Sequence, residues 1–112
     1  MYYNTIGYSR LASWKCEFKK MGKVKHISIR VSGQVQGVFF RDSARRQAKK
    51  LGLKGFARNE PDGSVYIEAE GDKEALEKFL EWCKKGTMFA KVEKVDFEFS
   101  EAISGFPDFE IR

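Results

Sequence analysis

The sequence predicts a small α+β domain in which an antiparallel sheet carries two helices on one face. Apolar and polar residues alternate over residues 24–31, with the two-residue period of a half-buried strand. Apolar residues recur three and four positions apart over residues 76–83, as on the buried side of a helix. The turn sequence Glu60-Pro61-Asp62-Gly63 separates two strand-like runs and therefore indicates a hairpin.

The elements follow one another in the order strand, helix, strand, strand, helix, strand. Gly52 suits the C-terminal cap of the first helix, and the second helix follows Gly71-Asp72 and stops before Gly86. The predicted bounds are a strand near 24–31, a helix over about 41–51, strands near 54–59 and 65–70, a helix ending at 85, a strand over 94–99 and a candidate short fifth strand within 106–111. This order is that of a ferredoxin-like βαββαβ sandwich, which many unrelated functions share.

Length and charge indicate one domain that is not strongly basic. The 112 residues suffice for one compact domain. Residues 1–22 lack a clear period, so we interpret them as an N-terminal extension and a candidate for disorder, followed by a domain over 23–112. The formal net charge is +5, but residues 1–20 carry +3 of it and the remainder carries +2. This mild excess gives weak support for binding a polyanion.

The cysteines do not indicate a metal site. Cys16 and Cys83 form no Cys-x-x-Cys pair, and His26 is interpreted as a strand residue without a chemical role. Cys83 falls on the apolar side of the second helix, where it is expected to be a small core residue. No apolar run is long enough to span a bilayer. We therefore expect a cytoplasmic protein with reduced thiols.

The stretch Gly33-Gln34-Val35-Gln36-Gly37-Val38-Phe39-Phe40-Arg41 places a glycine-bounded loop between the first strand and the first helix. Amide N–H groups in such a loop, with those of the first helical turn, can hold a phosphate-sized anion. Arg41 adds a planar cation that matches two phosphate oxygens, and Gly37 is expected to take a positive φ or to admit a close approach. The spacing is that of neither common nucleotide-binding loop. On spacing alone, a loop whose glycines simply turn the chain is an equal alternative.

A second motif lies in the hairpin, where Gly55-Phe56-Ala57-Arg58-Asn59 precedes Gly63-Ser64-Val65 and the later Gly71. Together with the first stretch, which has the form Gly-x-Val-Gln-Gly-Val-x-Phe-Arg, it closely resembles the acylphosphatase family. The resemblance spans about residues 23–112.

This resemblance implies hydrolysis of a carboxyl-phosphate mixed anhydride to a carboxylate and inorganic phosphate, without a metal or cofactor. It implies that the loop amides and Arg41 bind the phosphoryl group and that Asn59 orients the attacking water. Because a neutral amide cannot take a proton, a phosphate oxygen of the substrate is expected to accept it. The expected catalytic residues are Arg41 and Asn59, and the expected substrate-binding residues are Val35, Gln36, Gly37, Val38, Phe39, Phe40 and Arg41.

Simpler roles remain as alternatives: Arg41 as a solvated first-turn arginine and Asn59 as a turn former ahead of Pro61. Further arginines, at positions 45, 46 and 58, are expected to face solvent without a catalytic role.

Two other functions stand as alternatives. A ferredoxin-like sheet can bind nucleic acid through exposed aromatic rings, but the outward positions of the third strand, Tyr66, Glu68 and Glu70, are largely acidic. A regulatory acylphosphatase-like domain, as at the front of hydrogenase-maturation carbamoyltransferases, would be accompanied by zinc-finger cysteines that this sequence lacks. We therefore expect a small-molecule acyl phosphate as substrate, phosphate as product, no nucleic-acid or membrane partner, and a monomer.

Overall fold

The computed structural model describes residues 24–102 and 105–112, which form a five-stranded sheet and two helices. The strands are β1 (Val24–Gln34), β2 (Lys54–Asn59), β3 (Val65–Asp72), β4 (Lys91–Glu101) and β5 (Phe109–Ile111), and the helices are α1 (Phe40–Lys50) and α2 (Lys73–Lys85). The predicted extension over residues 1–22 lies outside the described residues. No helix in the described part of the chain is long and apolar enough to cross a membrane.

The sheet has the strand order β4-β1-β3-β2-β5, and its four longer strands pair antiparallel. This arrangement confirms the predicted ferredoxin-like sandwich. The candidate fifth strand also forms, over a shorter range than 106–111, and Gly55 and Phe109 align in its parallel pairing with β2. The sheet is therefore mixed rather than wholly antiparallel, and β5 lies against α1 at its edge.

Both helices pack on one face of the sheet and enclose a single apolar core. The alternating residues Ile27, Ile29 and Val31 of β1 are buried in it, as the two-residue period predicts. Cys83 is also fully buried, as predicted, and this burial raises the pKa of its thiol. The buried residues of the helices are Phe40, Ala44 and Ala48 in α1, and Leu76, Phe79, Leu80 and Cys83 in α2. The shared core fixes the start of α1 against the sheet.

β1 and β4 are both longer than the sequence predicts. Their pairing continues past a register shift between Ser32 and Gly33. Gly33 has a φ of 128°, and a Cβ atom there would lie 2.1 Å from the main-chain oxygen of Lys91. The glycine therefore allows a bulge after which the strands pair again, whereas the sequence pattern indicates a loop beginning at this residue.

The sheet face away from the helices carries paired polar groups. His26 is buried in β1, with Nδ1 at 2.8 Å from Glu70 Oε2 and Nε2 at 3.2 Å from Glu68 Oε1. Arg58 is exposed, as predicted, and its guanidinium lies 5.0 Å from the Tyr66 ring centroid. The Tyr66 hydroxyl donates to Glu68 Oε2 at 2.8 Å. Aromatic and acidic groups on this face therefore contact one another.

Candidate active site

Buried side chains fix the loop between β1 and α1 against the core. Val35 and Phe40, at its two ends, are buried in the core, and the Phe40 ring lies 5.4 Å from that of Trp82. Val38 packs against the same core. Between these buried residues, Gly37 and Phe39 are exposed.

The loop backbone contains two left-handed residues. Gly37 has a φ of 76°, which confirms the sequence prediction, and Phe39 has a φ of 61° with 78% of its surface exposed. Val38 between them is not left-handed. Such alternation turns successive amide N–H groups toward one side and forms an anion-binding concavity. Space is open beside Gly37, where a Cβ atom would meet nothing within 4 Å.

Few of these amides are used within the protein. The Ser43 N–H donates to the Phe39 carbonyl at 3.0 Å. Among the described residues, the amides of 36–41 have no main-chain acceptor within 3.5 Å outside regular helix and strand bonding. Unpaired amides at a helix start favour an anionic partner.

Arg41 lies in the first turn of α1, beside these amides. Its Nη1 donates to the main-chain oxygen of Arg112 at 3.2 Å. The Arg112 N–H donates in turn to the Ala57 carbonyl of β2 at 2.8 Å. The Arg112 guanidinium also lies 4.4 Å from the Phe56 ring centroid. Through these two hydrogen bonds, Arg112 links Arg41 to β2, the strand that ends at Asn59.

Arg41 and Asn59 line the same cavity, which has a volume of about 230 Å³. Asn59 is the last residue of β2, and its side chain is exposed there. The cavity lies between the loop, the start of α1 and the ends of β2 and β5. Its lining residues are Val35, Gly37, Phe39, Phe40, Arg41, Asp42, Asn59 and Ile111.

Gln36 and Val38, which were expected to bind substrate, do not line this cavity. Gln36 Nε2 instead donates to the main-chain oxygens of Glu60 and Ser64, each at 2.8 Å. Gln36 and Val38 therefore remain candidates for substrate binding through their amides, while their side chains face the turn and the core.

The sequence interpretation missed two lining residues, Asp42 and Ile111. Asp42 Oδ1 lies 2.6 Å from Arg45 Nη2, and its Oδ2 lies 2.7 Å from Arg46 Nη2. Two cations thus offset a carboxylate that would otherwise repel a bound anion. The i,i+3 and i,i+4 spacing of these pairs is readable in the sequence, whereas the arrival of Ile111 depends on the pairing of β5.

Among the described residues, no group of three His, Cys, Asp or Glu side chains is arranged to hold a metal ion. The charged residues that line the cavity are Arg41 and Asp42, and Asp42 is ion-paired with Arg45 and Arg46. The arrangement can bind an anion through amides and one guanidinium and can present a neutral carboxamide to it.

Sequence and structure comparisons agree with one another. The family model for acylphosphatase matches residues 27–111. An acylphosphatase from Salinibacter ruber is 46% identical over 91 residues, which are 81% of this chain and 96% of the relative.

The fold comparison gives the same family. The structure of an acylphosphatase from Coxiella burnetii superposes with a TM-score of 0.78 at 35% identity, over 84% of this chain and 98% of that one. For the acylphosphatase from Bacillus subtilis the TM-score is 0.76 at 39% identity, over 79% and 98%. On its fold, both sequence motifs and these similarities, the chain belongs to the acylphosphatase family of hydrolases.

Proposed function

We propose that the cavity binds the phosphoryl group of a carboxyl phosphate and directs water onto its phosphorus atom. The observation that carries this proposal is the shared cavity of Arg41 and Asn59, which come from different elements. The amides of residues 35–41 and the Arg41 guanidinium hold the phosphate oxygens. They stabilise the charge that spreads over those oxygens in the transition state.

Asn59 orients the water that attacks phosphorus. Its carboxamide accepts a hydrogen bond from the water and can donate another, so it fixes the direction of attack without taking a proton. A phosphate oxygen of the substrate accepts the proton. The bond between phosphorus and the acyl oxygen breaks, and the products are a carboxylate and inorganic phosphate.

No general acid is needed at the leaving group. The departing carboxylate is a stable anion at neutral pH, so protonation would give little assistance. This fits a cavity in which the Asp42 carboxylate is ion-paired with two arginines and the proposed catalytic groups are the Arg41 guanidinium and the Asn59 amide. We infer that the reaction uses no metal or cofactor.

The first test is phosphate release from benzoyl phosphate in the presence of a chelator, comparing the wild-type protein with Asn59→Ala. We expect wild-type turnover to persist with chelator. The variant should lose about 10²-fold in kcat, the scale for one positioned polar group, because water is no longer aimed. Its inhibition constant for inorganic phosphate should stay close to that of the wild type.

Two results would contradict this assignment. Full turnover by Asn59→Ala would remove the water-orienting role. Loss of wild-type turnover on chelation, with recovery on adding a divalent cation, would refute metal independence.

The proposal also covers the substrate, the oligomeric state, the partners and the cellular location of the protein. A small acyl phosphate is the substrate, a monomer is the active form, and neither nucleic acid nor a membrane is a partner. A cytoplasmic location suits the free, buried thiol of Cys83. Light scattering tests the monomer, and a salt-dependent gel shift with RNA would contradict the exclusion of nucleic acid.

A further inference from the structure

The Gln36 side chain connects the loop after β1 to the turn that follows Asn59. It belongs to the loop that carries the amides, yet its Nε2 donates to two carbonyl oxygens of residues 60–64, the turn that follows Asn59. Within the described residues, no other side-chain hydrogen bond connects 35–39 with this turn. Among the described residues, the side-chain hydrogen bonds between the loop and the turn therefore come from a single amide group.

The chemistry of these contacts requires an NH₂ group. Both partners are carbonyl oxygens, which can accept but not donate, so the amide must present its two N–H bonds to them. The Glu60 carbonyl also accepts from Gly63 N–H at 3.1 Å, and the Ser64 carbonyl accepts from Glu60 N–H at 2.9 Å. Gln36 thus supplies the second donor to each oxygen, and a carboxylate in its place would face acceptors.

The turn is itself a firm support. Asp62 Oδ1 accepts from the Ser64 amide at 2.9 Å and from the Ser64 hydroxyl at 2.6 Å. Arg30 of β1 donates to the same hydroxyl oxygen at 2.9 Å. Asn59 immediately precedes the turn, and its backbone pairs with Val65 immediately after it. Whatever positions the turn therefore positions Asn59.

We propose that Gln36 is a positioning residue that sets the placement of Asn59 relative to the phosphate-binding loop. Its side chain contacts neither phosphate nor water in this arrangement, and it acts through the turn. This inference rests on the proposed function, in which turnover needs the phosphoryl group and the water to be aligned. Misplacement by about 1 Å can cost up to about 10²-fold in rate.

The experiment compares Gln36→Met, which keeps the length without donors, and Gln36→Glu, which places acceptor against acceptor. Both should lower kcat for benzoyl phosphate by about 10- to 100-fold, while the inhibition constant of inorganic phosphate changes far less. Gln34→Glu is the matched control, since Gln34 is exposed and its side chain has no hydrogen bond among the described residues. It should keep wild-type kinetics.

A double-mutant cycle separates positioning from general damage. If Gln36 acts through Asn59, adding Gln36→Met to Asn59→Ala should produce little further loss of kcat. Multiplication of the two losses would overturn the inference, because Gln36 would then act independently of Asn59. Thermal melts show whether either variant is unfolded, and Gln36→Met, with no added charge, serves if Gln36→Glu does not fold.

The failures of the two proposals are distinguishable. Full activity of Gln36→Met, with an active wild type and a slow Asn59→Ala, overturns this inference and leaves the proposed function standing. An inactive wild type, or a fully active Asn59→Ala, overturns the proposed function and this inference together.

Discussion

The loop over residues 35–39 lines the cavity, the turn over 60–64 directly follows the cavity residue Asn59, and the two segments are built in opposite ways. The loop has two left-handed residues, and its amides in the described chain are largely unused. The turn satisfies its polar groups internally and through Arg30 and Gln36. The loop amides are therefore available to bind a ligand, whereas the hydrogen-bond donors of the turn make the turn rigid.

Phosphate binding and the alignment of Asn59 are therefore carried by separate segments. If the loop amides formed hydrogen bonds within the loop, they could not bind a phosphate. If the turn lacked its internal hydrogen bonds, it could not hold Asn59 in place. Changes in the loop and at its arginine should therefore alter phosphate binding, whereas changes within the turn should alter the stability of the turn and the placement of Asn59. Substitutions in each segment test this assignment.

The largest effect is expected for Arg41→Ala, on the loop side. It removes the guanidinium that accompanies the loop amides, so both phosphate binding and transition-state stabilisation should be lost. We expect kcat/KM for benzoyl phosphate to fall by about 10³-fold or more, and inhibition by inorganic phosphate to disappear. Steady-state kinetics and phosphate titration calorimetry measure the two quantities.

Arg46→Ala is the matched control on the same helix. It removes an equal charge outside the cavity lining, and Asp42 keeps its pair with Arg45. Near-wild-type kinetics are expected. Wild-type phosphate affinity in Arg41→Ala would contradict the contrast, because the loop would then bind its ligand without the cation.

Much of this organisation is readable in the sequence, for local reasons. The alternation through Ile27 and Ile29 and the helical spacing through Leu76 and Phe79 report burial directly, so the element order is predictable. The placing of Arg41 and Asn59 in one site came from the resemblance, because their spacing alone leaves a structural interpretation open. Their shared cavity supports that pairing, while their roles stay predictions.

The rest depends on contacts between distant parts of the chain. Nothing local indicates that β5 pairs parallel with β2 and brings Ile111 to the cavity. The pairing of Gln36 with the turn spans 24 and 28 residues, and no periodicity reports it. Phe39 in a left-handed conformation also runs against residue preference, which favours Gly, Asn or Asp there.

A second, smaller effect concerns the strain at Phe39. A left-handed conformation costs a non-glycine residue about 1–2 kcal/mol, which glycine avoids. Glycine also loses more conformational freedom on folding, and this loss offsets part of the gain in stability. Because the ring is largely exposed, its removal sacrifices few contacts. Phe39→Gly should therefore raise the free energy of unfolding by about 0.5–1 kcal/mol, measured by urea denaturation.

Val38→Gly provides the opposite case one residue away. Val38 is not left-handed and packs against the core, so glycine should lower the free energy of unfolding by about 1–2 kcal/mol. A lower unfolding midpoint in Phe39→Gly would mean that the loop is not strained at this residue.

The smallest effect is expected in the turn, at Asp62. Hydrogen bonds from the Ser64 hydroxyl and amide, helped by the nearby Arg30 cation, lower the pKa of the Asp62 carboxyl. The folded protein therefore binds this proton less readily than the unfolded chain does. Its stabilising contribution is complete above the ordinary aspartate pKa of about 3.9 and is lost as pH falls through the lower folded value.

Asp62→Asn should accordingly melt slightly below the wild type at pH 7, with the inhibition constant of inorganic phosphate nearly unchanged. The difference in Tm should shrink as pH falls below about 3.9 and the wild-type carboxyl takes up its proton. In a Ser64→Ala background the same substitution should have less effect, because the principal hydrogen bond is already absent. A Tm difference that is constant from pH 7 to pH 2 would show that the charge of Asp62 does not stabilise the turn, and the stability of this segment would then depend on its carbonyl contacts.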